Sequence, residues 1–143
     1  MVDALHRAHR IVSPTGFVID LHPSAAHASV KVGEEKTGIV DGGDACLRHA
    51  GAGVALAAVV DQGLFAVDQV LVFAFNTYSD TAEELGEYVA THWREGRIAD
   101  EMVERTREAA ARGDGARPHI CERVYMTKLR PLRGQAESST VSR

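Results

Sequence analysis

The chain has 143 residues, 45% hydrophobic and 25% charged, a composition typical of one globular domain rather than a disordered segment. The formal net charge of −4 argues against nucleic acid and anionic membrane surfaces as partners. Cys46 and Cys121 are far apart and form no metal-binding pair, and no run of about 18 apolar residues is present. We therefore expect a cytoplasmic protein with reduced thiols and no metal site.

The first part of the chain predicts a helix, a strand and a hairpin. Apolar residues at helical spacing predict a helix that ends by about residue 12, because Pro14 disfavours helix in the residue before it. The nearly continuous apolar run 17–21 predicts a strand that is covered on both faces. Residues 29–40 predict a hairpin whose turn runs from Gly33 to Gly38.

The remainder predicts a helix, a strand, two helices and a final strand, at 45–62, 67–76, 81–96, 100–112 and 119–129. Asp44 is placed to cap the first of these helices, whose predicted packing face consists of Leu47, Val54, Leu56, Val59 and Val60. The strand at 67–76 is apolar on both faces, so we expect it in the centre of a sheet. Residues after Pro131 predict a flexible tail.

The order of helix, Ser13-Pro14-Thr15-Gly16 turn and strand 17–21 resembles the fifth strand and its preceding helix in class I S-adenosylmethionine-dependent methyltransferases. The resemblance extends over residues 2–131. It implies a single α/β domain at 1–131, with a mixed sheet, helices on both faces, the last three strands of a Rossmann-like methyltransferase and an inserted hairpin. It also implies that the strand at 119–129 lies antiparallel between the strands at 17–21 and 67–76. Residues 132–143 would form the tail.

The resemblance leaves the cofactor-binding half of the fold without a counterpart. The nearest match to the family's glycine-rich loop is Gly51-Ala52-Gly53, which no strand precedes within a strand-loop-helix unit. These glycines are instead expected to let helix 45–62 pack closely against a neighbour. We expect no cofactor for the isolated chain, and S-adenosylmethionine binding only if the missing half is supplied.

Two functions follow from these observations, and whether the chain is an enzyme stays open. In the first, it is a methyltransferase-like half-domain that pairs through the exposed edge of strand 17–21, either with a complementary chain or with a second copy in a homodimer. In the second, the fold is a repurposed small homodimeric α/β protein that binds a small molecule, as a cofactor-independent isomerase or cyclase would.

The catalytic candidates lie where predicted strands end, the edge at which α/β sheets gather their ligands, and three of the ligand-binding candidates flank the hairpin. Asp20, His22 and Tyr78 are the catalytic candidates, with His22 as a general base. The ligand-binding candidates are His27, Asp41, Asp44 and Asp80. In the alternative interpretation, Asp20 and His22 point to opposite faces of an extended segment, one capping a turn and the other solvated, while Tyr78 and Asp80 belong to a turn and helix cap.

Overall fold

The computed structural model describes residues 1–113 and 115–133, so Asp114 and most of the predicted tail 132–143 lie outside the described residues. The helices are α1 Val2–Ile11, α2 Ala45–Asp61, α3 Ala82–His92 and α4 Asp100–Arg112. The strands are β1 Val18–Pro23, β2 Ser29–Val32, β3 Glu35–Ile39, β4 Phe65–Tyr78 and β5 Pro118–Pro131.

The last strand, β5, organises the sheet. One side of β5 pairs with β4 along almost its whole length. The other side pairs with β1 near its C-terminal end and with β2 near its N-terminal end, and β3 pairs with β2. β5 therefore lies antiparallel between β1 and β4, as the methyltransferase resemblance implies.

Each face of the sheet carries its own helix pair. Side chains alternate along a strand, so Ile120 and Leu129 of β5 point to opposite faces. Leu129 packs with buried side chains of α1, α2 and β4, namely Leu5, Val59 and Phe65. Ile120 packs on the other face with buried Leu85 and Val89 of α3 and Val30 of β2, while Met102 and Val103 of α4 lie at the margin. The predicted α/β class with helices on both faces is confirmed.

Two predictions about the sheet are wrong. The described pairings are all antiparallel, not mixed, because β5 separates β1 from β4 and keeps these two parallel strands from touching. β4 was expected in the centre of the sheet, yet in the described residues it pairs with β5 alone and forms an edge. The apolar residues on both faces of β4 indicate that both faces can pack against other parts of a protein. They do not indicate that a strand pairs with each of its two edges.

Element boundaries differ from prediction at two turns. The hairpin turn contains only Gly33 and Glu34, because Gly33 has a φ of +58° that lets the chain reverse within two residues. Helix α3 ends at His92 rather than at Gly96, and Trp93, in extended conformation, packs against the core around Leu85.

The described start of the predicted tail is attached to the fold. The Leu132 amide donates to the Leu64 carbonyl at 2.8 Å, and the Leu132 carbonyl accepts a hydrogen bond from the His9 imidazole at 2.9 Å. Ordered contacts therefore extend past the predicted limit at residue 131. Within the described residues, the helices are too short or too polar to cross a membrane.

Candidate functional site

Asp20 and His22 form a hydrogen-bonded pair on β1. The Asp20 carboxylate Oδ2 lies 2.6 Å from His22 Nδ1, and the two side chains are only 10% and 14% exposed. The His22 ring stacks on Tyr125 of β5, with 5.8 Å between ring centroids and 29° between ring planes. The pair is thus fixed from two sides, by a carboxylate and by an aromatic ring.

The interpretation that Asp20 and His22 point to opposite faces is wrong. Alternate residues of a strand share a face, so positions 20 and 22 both point to the face that α1 and α2 partly cover. The register with β5 places His22 directly opposite Tyr125 and Asp20 opposite the buried Thr127. The geometry of one strand therefore brings the two predicted residues together.

The second imidazole nitrogen of His22 remains available. An ionised carboxylate only accepts hydrogen bonds, so in the neutral imidazole the contact with Asp20 assigns the proton to Nδ1 and leaves a lone pair on Nε2. Within the described residues His22 bonds only through Nδ1, and no buried side-chain nitrogen or oxygen there lacks a partner. Nε2 therefore retains contact with solvent.

His22 lines an open groove between helix α2 and the sheet, which we name the α2 groove. Its volume is about 350 Å³. The lining comes from the end of β1 and the loop after it, from α2 and from β5: His22, Pro23, Ser24, Ala25, Ala26, His49, Ala50, Gly53, Arg123 and Tyr125. A volume of this order suits a small organic molecule.

The polar side chains of the α2 groove favour an anionic ligand. Arg123 is exposed, and it forms none of the ion pairs among the described residues. Its guanidinium can bind a carboxylate through two parallel hydrogen bonds. His22 and His49 supply further nitrogen atoms, and Tyr125 adds a phenol, whereas the lining contains no aspartate or glutamate.

His27, a predicted ligand-binding residue, lies beside this groove and contacts a cysteine. Its Nδ1 is 3.7 Å from Cys46 Sγ in the first turn of α2. Both residues line a smaller neighbouring pocket, together with Trp93 and Glu122.

Glu122 of β5 is the titratable group at this pocket whose ionisation is clearly perturbed. Partial burial raises the pKa of its carboxyl above the ordinary value. Arg48, His49 and Arg94 line the adjoining surface, but desolvation is the cause of the shift. The folded protein therefore binds the Glu122 proton more tightly than the unfolded chain does.

Replacing Glu122 with glutamine is expected to stabilise the protein at neutral pH by about 0.5 kcal/mol or less, since the site is half solvated. A raised folded pKa means that wild-type stability falls as the pH rises from the unfolded toward the folded pKa. The difference between variant and wild type should therefore disappear below about pH 4.5. Urea unfolding between pH 4 and pH 8 measures it, with exposed Glu87→Gln as the control; equal profiles for wild type and Glu122→Gln would contradict the prediction.

The other candidates lie outside the α2 groove. Tyr78 is paired with His119 at the far end of β5, six positions from Tyr125, or about 20 Å along an extended strand. Its ring contacts that of His119 at 4.8 Å between centroids. Asp80 forms an ion pair with Arg117 at 2.8 Å. The structure therefore does not bring Tyr78 and Asp80 together with His22.

Asp41 stabilises the turn before α2, and Asp44 lies at the start of that helix. Asp41 exchanges two backbone hydrogen bonds of 2.9 Å with Arg97, and its carboxylate accepts from the Gly43 amide at 3.0 Å. Asp44 occupies the N-cap position of α2, but its side chain makes no capping hydrogen bond, so the predicted cap is not formed.

Gly51 and Gly53 lie inside α2 rather than in a loop. A Cβ atom built on either glycine would meet no atom within 4 Å apart from its own helix and chain neighbours. The prediction that they allow a close helix contact is therefore wrong. Neither position forms a tight cradle for an adenosyl group, and these residues do not fit S-adenosylmethionine.

Sequence reasoning missed Tyr125, Arg123 and His49. The first two reach the site through the pairing of β5 with β1, and the third through the packing of α2. Alternation along β5 indicates only that residues 123 and 125 share a face.

Among the described residues, no three His, Cys, Asp or Glu side chains are arranged to hold a metal ion. No family model, curated protein or solved structure matches the chain.

Proposed function

We propose that the protein binds a small carboxylate in the α2 groove and moves a proton there through His22, as a cofactor-independent isomerase or cyclase does. The observation that carries the proposal is the 2.6 Å contact between Asp20 and His22 at the wall of this groove. A histidine whose tautomer is fixed by a carboxylate is the usual arrangement of a general base.

The proton transfer uses the free nitrogen of His22. Nε2 takes a proton from a carbon next to a carbonyl group of the ligand, and the electron pair that remains is delocalised onto that carbonyl. The imidazolium then returns the proton to another atom, which completes an isomerisation without a cofactor. Asp20 stabilises the imidazolium in between, because its carboxylate lies against Nδ1.

Arg123 orients the ligand in this scheme. Its exposed guanidinium lies on the same face of β5 as Tyr125, two positions away, and both line the groove with His22. A carboxylate held by Arg123 would leave the rest of a small ligand over the Tyr125 and His22 rings. Charge-assisted hydrogen bonds contribute about 1.5–3 kcal/mol, so a neutral analogue should bind about tenfold more weakly or worse.

A pair of glycine substitutions tests the location of the ligand. Gly53 lines the groove, whereas Gly51 is exposed on the same helix, and both positions have room for a side chain. Because leucine favours helix more than glycine does, neither variant should lose stability. We expect Gly53→Leu to weaken benzoate binding by about tenfold or more, and Gly51→Leu to leave it unchanged.

The measurement is an NMR titration of backbone amides with benzoate, with benzamide as the neutral control. The expected shifts centre on Gly53, Arg123 and Tyr125. Three results would contradict the proposal: no shift up to millimolar benzoate, the same affinity for benzamide, or the same loss in both glycine variants.

A second candidate function rests on the strand arrangement. β5 lies antiparallel between β1 and β4, which is the arrangement that the methyltransferase resemblance implies. We propose as the alternative that the chain is a methyltransferase-like half-domain and that a complementary chain pairs with the outer edge of β1. Because the glycines of α2 do not fit the adenosyl group, this partner would hold the cofactor.

Calorimetric titration with S-adenosylmethionine distinguishes the two functions. The half-domain function requires no binding by this chain alone and binding once the complementary chain is added. Binding by this chain alone would contradict the need for a partner. If benzoate binds at the groove and S-adenosylmethionine binds neither to this chain alone nor after the second chain is added, the half-domain function is contradicted and the carboxylate-binding function is supported.

A further inference from the structure

The outer edge of β4 is unusually long and apolar. The strand has 14 residues, against a mean of about five or six in globular proteins. Among the described residues its backbone pairs with β5 alone, so one edge keeps its amide and carbonyl groups without a strand partner. Such an edge is a template for pairing with another chain.

Both faces of β4 are apolar where the strand is exposed. Val70 and Val72 share the face of Tyr125, and Leu71, Phe73 and Phe75 share the opposite face. These five side chains are 40–53% exposed. A strand with apolar residues on both faces is typical of the interior of a sheet, whereas here it lies at the margin.

The usual protection of an edge strand is lacking in this segment. Edge strands are commonly short or carry lysine, proline or a bulge. No charged residue and no proline occur between Gln69 and Ser79, and the irregularity in the β4 pairing lies before this segment, at Val67 and Gln69. The one charged residue at that end of the segment, Asp68, is paired within the chain. Lys128 donates a hydrogen bond of 2.9 Å to its carboxylate and lowers the pKa of the Asp68 carboxyl.

We propose that a second copy of this chain pairs antiparallel with β4, about a two-fold axis that passes midway between the Phe73 residues of the two copies. Identical edges are self-complementary under such an axis, and this segment brings no like charges together. The result is one continuous ten-stranded sheet in which β4 is central. The sequence pattern of β4, which predicts a central strand, is then satisfied by the dimer rather than by the single chain.

The choice of Phe73 follows from side-chain pairing. Opposite residues in an antiparallel pair share a face, so in a two-fold pair one residue lies opposite its own copy, with the axis midway between them. With the axis at Phe73, Leu71 lies opposite Phe75 of the second copy. An axis one residue later would place Leu71 opposite Thr77 and lose an apolar contact. An axis one residue earlier would place Phe75 opposite Gln69 and lose an apolar contact.

The outer edges of β1 and β3 are the other unpaired edges among the described residues, and both are less suited to a second copy. β3 has only five residues. β1 has six residues and ends in Pro23, which has no backbone amide to donate. β4 therefore offers more than twice the length of backbone for pairing.

Charge substitutions at the axis test the proposal. Sedimentation equilibrium of the wild type should give twice the mass of one chain. Phe73→Lys and Phe73→Glu each place like charges against each other at the axis, so each variant alone should sediment as one chain. An equimolar mixture of the two variants should return to twice the mass. Leu21→Lys, at an exposed position of β1 on the same face as Phe73, is the matched control and should remain a dimer.

Hydrogen exchange of the wild type gives a readout that needs no variant. In the dimer the outward-facing amides between Gln69 and Thr77 exchange slowly, whereas at a free edge they exchange at least tenfold faster than the amides bonded to β5. The proposal is overturned by a wild type of single-chain mass, by Phe73 variants that remain dimers, or by outward-facing amides that exchange rapidly. If Leu21→Lys separates the dimer and the Phe73 variants do not, the interface lies at β1 and not at β4.

Discussion

Replacing Phe65 with alanine is expected to lower the free energy of unfolding by about 3–5 kcal/mol. Phe65 is 1% exposed and lies where β4 begins, between the helices α1 and α2 and the Leu129 side chain of β5. The His9 ring contacts the Phe65 ring in a T-shaped arrangement, with centroids 5.1 Å apart and an interplanar angle of 85°. The substitution therefore removes the largest side chain of this core and leaves a cavity.

Urea unfolding at a fixed protein concentration measures the effect, since association would make stability depend on concentration. Phe17→Ala is the matched control, because Phe17 is 58% exposed. It should change the unfolding free energy by less than about 1 kcal/mol. Equal losses for the two variants would show that α1 and α2 do not bury Phe65 as described.

Replacing Leu85 with alanine is expected to cost about 2–5 kcal/mol. Leu85 of α3 is 0% exposed and packs with Val30 and Ile120 on the face of the sheet opposite to Phe65. Its removal opens a cavity beneath α3 that the surrounding strands can fill only in part.

Leu47→Ala is the matched control for Leu85→Ala, because Leu47 of α2 is 72% exposed. We expect a change within about 0.5 kcal/mol in the unfolding free energy. Since Phe65 and Leu85 belong to separate core clusters, the losses of the double variant should add within about 0.5 kcal/mol. A loss at Leu47 as large as that at Leu85 would contradict the described packing of α2.

Helix α2 shows what the sequence predicts well and what it does not. Its predicted span, 45–62, agrees with the observed one to within a single residue. The end is predictable because Gly63, which has a φ of +71°, follows the helix and stops it. Its packing face was predicted wrongly in part: Leu47 and Val54 are 72% and 71% exposed, while Ala52 and Ala55 are buried. Apolar residues occur all around this helix, so periodicity does not select one face.

The β4 strand shows a different limit. Alternation and β-branched residues predict a strand at 67–76, and the structure has one at Phe65–Tyr78. The pattern also predicts a central strand, with a neighbouring strand at each edge. It does not indicate whether both neighbouring strands belong to the same chain. The methyltransferase resemblance stays a prediction for a related reason, because a shared strand order fits more than one function.

The candidate site was predictable only in its local part. Asp20 and His22 are predictable because they lie at the end of a strand, and strand geometry alone places them on one face. Arg123 and Tyr125 join them through the register between β1 and β5, which are about 100 residues apart in sequence. No local pattern encodes such a register.

The protonation state of His22 tests the central claim most directly. Two-bond nitrogen–proton NMR spectra of the protein labelled with ¹⁵N-histidine distinguish the two tautomers of a neutral imidazole. We predict a proton on Nδ1 of His22, held by Asp20, and a bare Nε2 that faces the α2 groove. A proton on Nε2 and a bare Nδ1 would contradict the assignment of His22 as a general base.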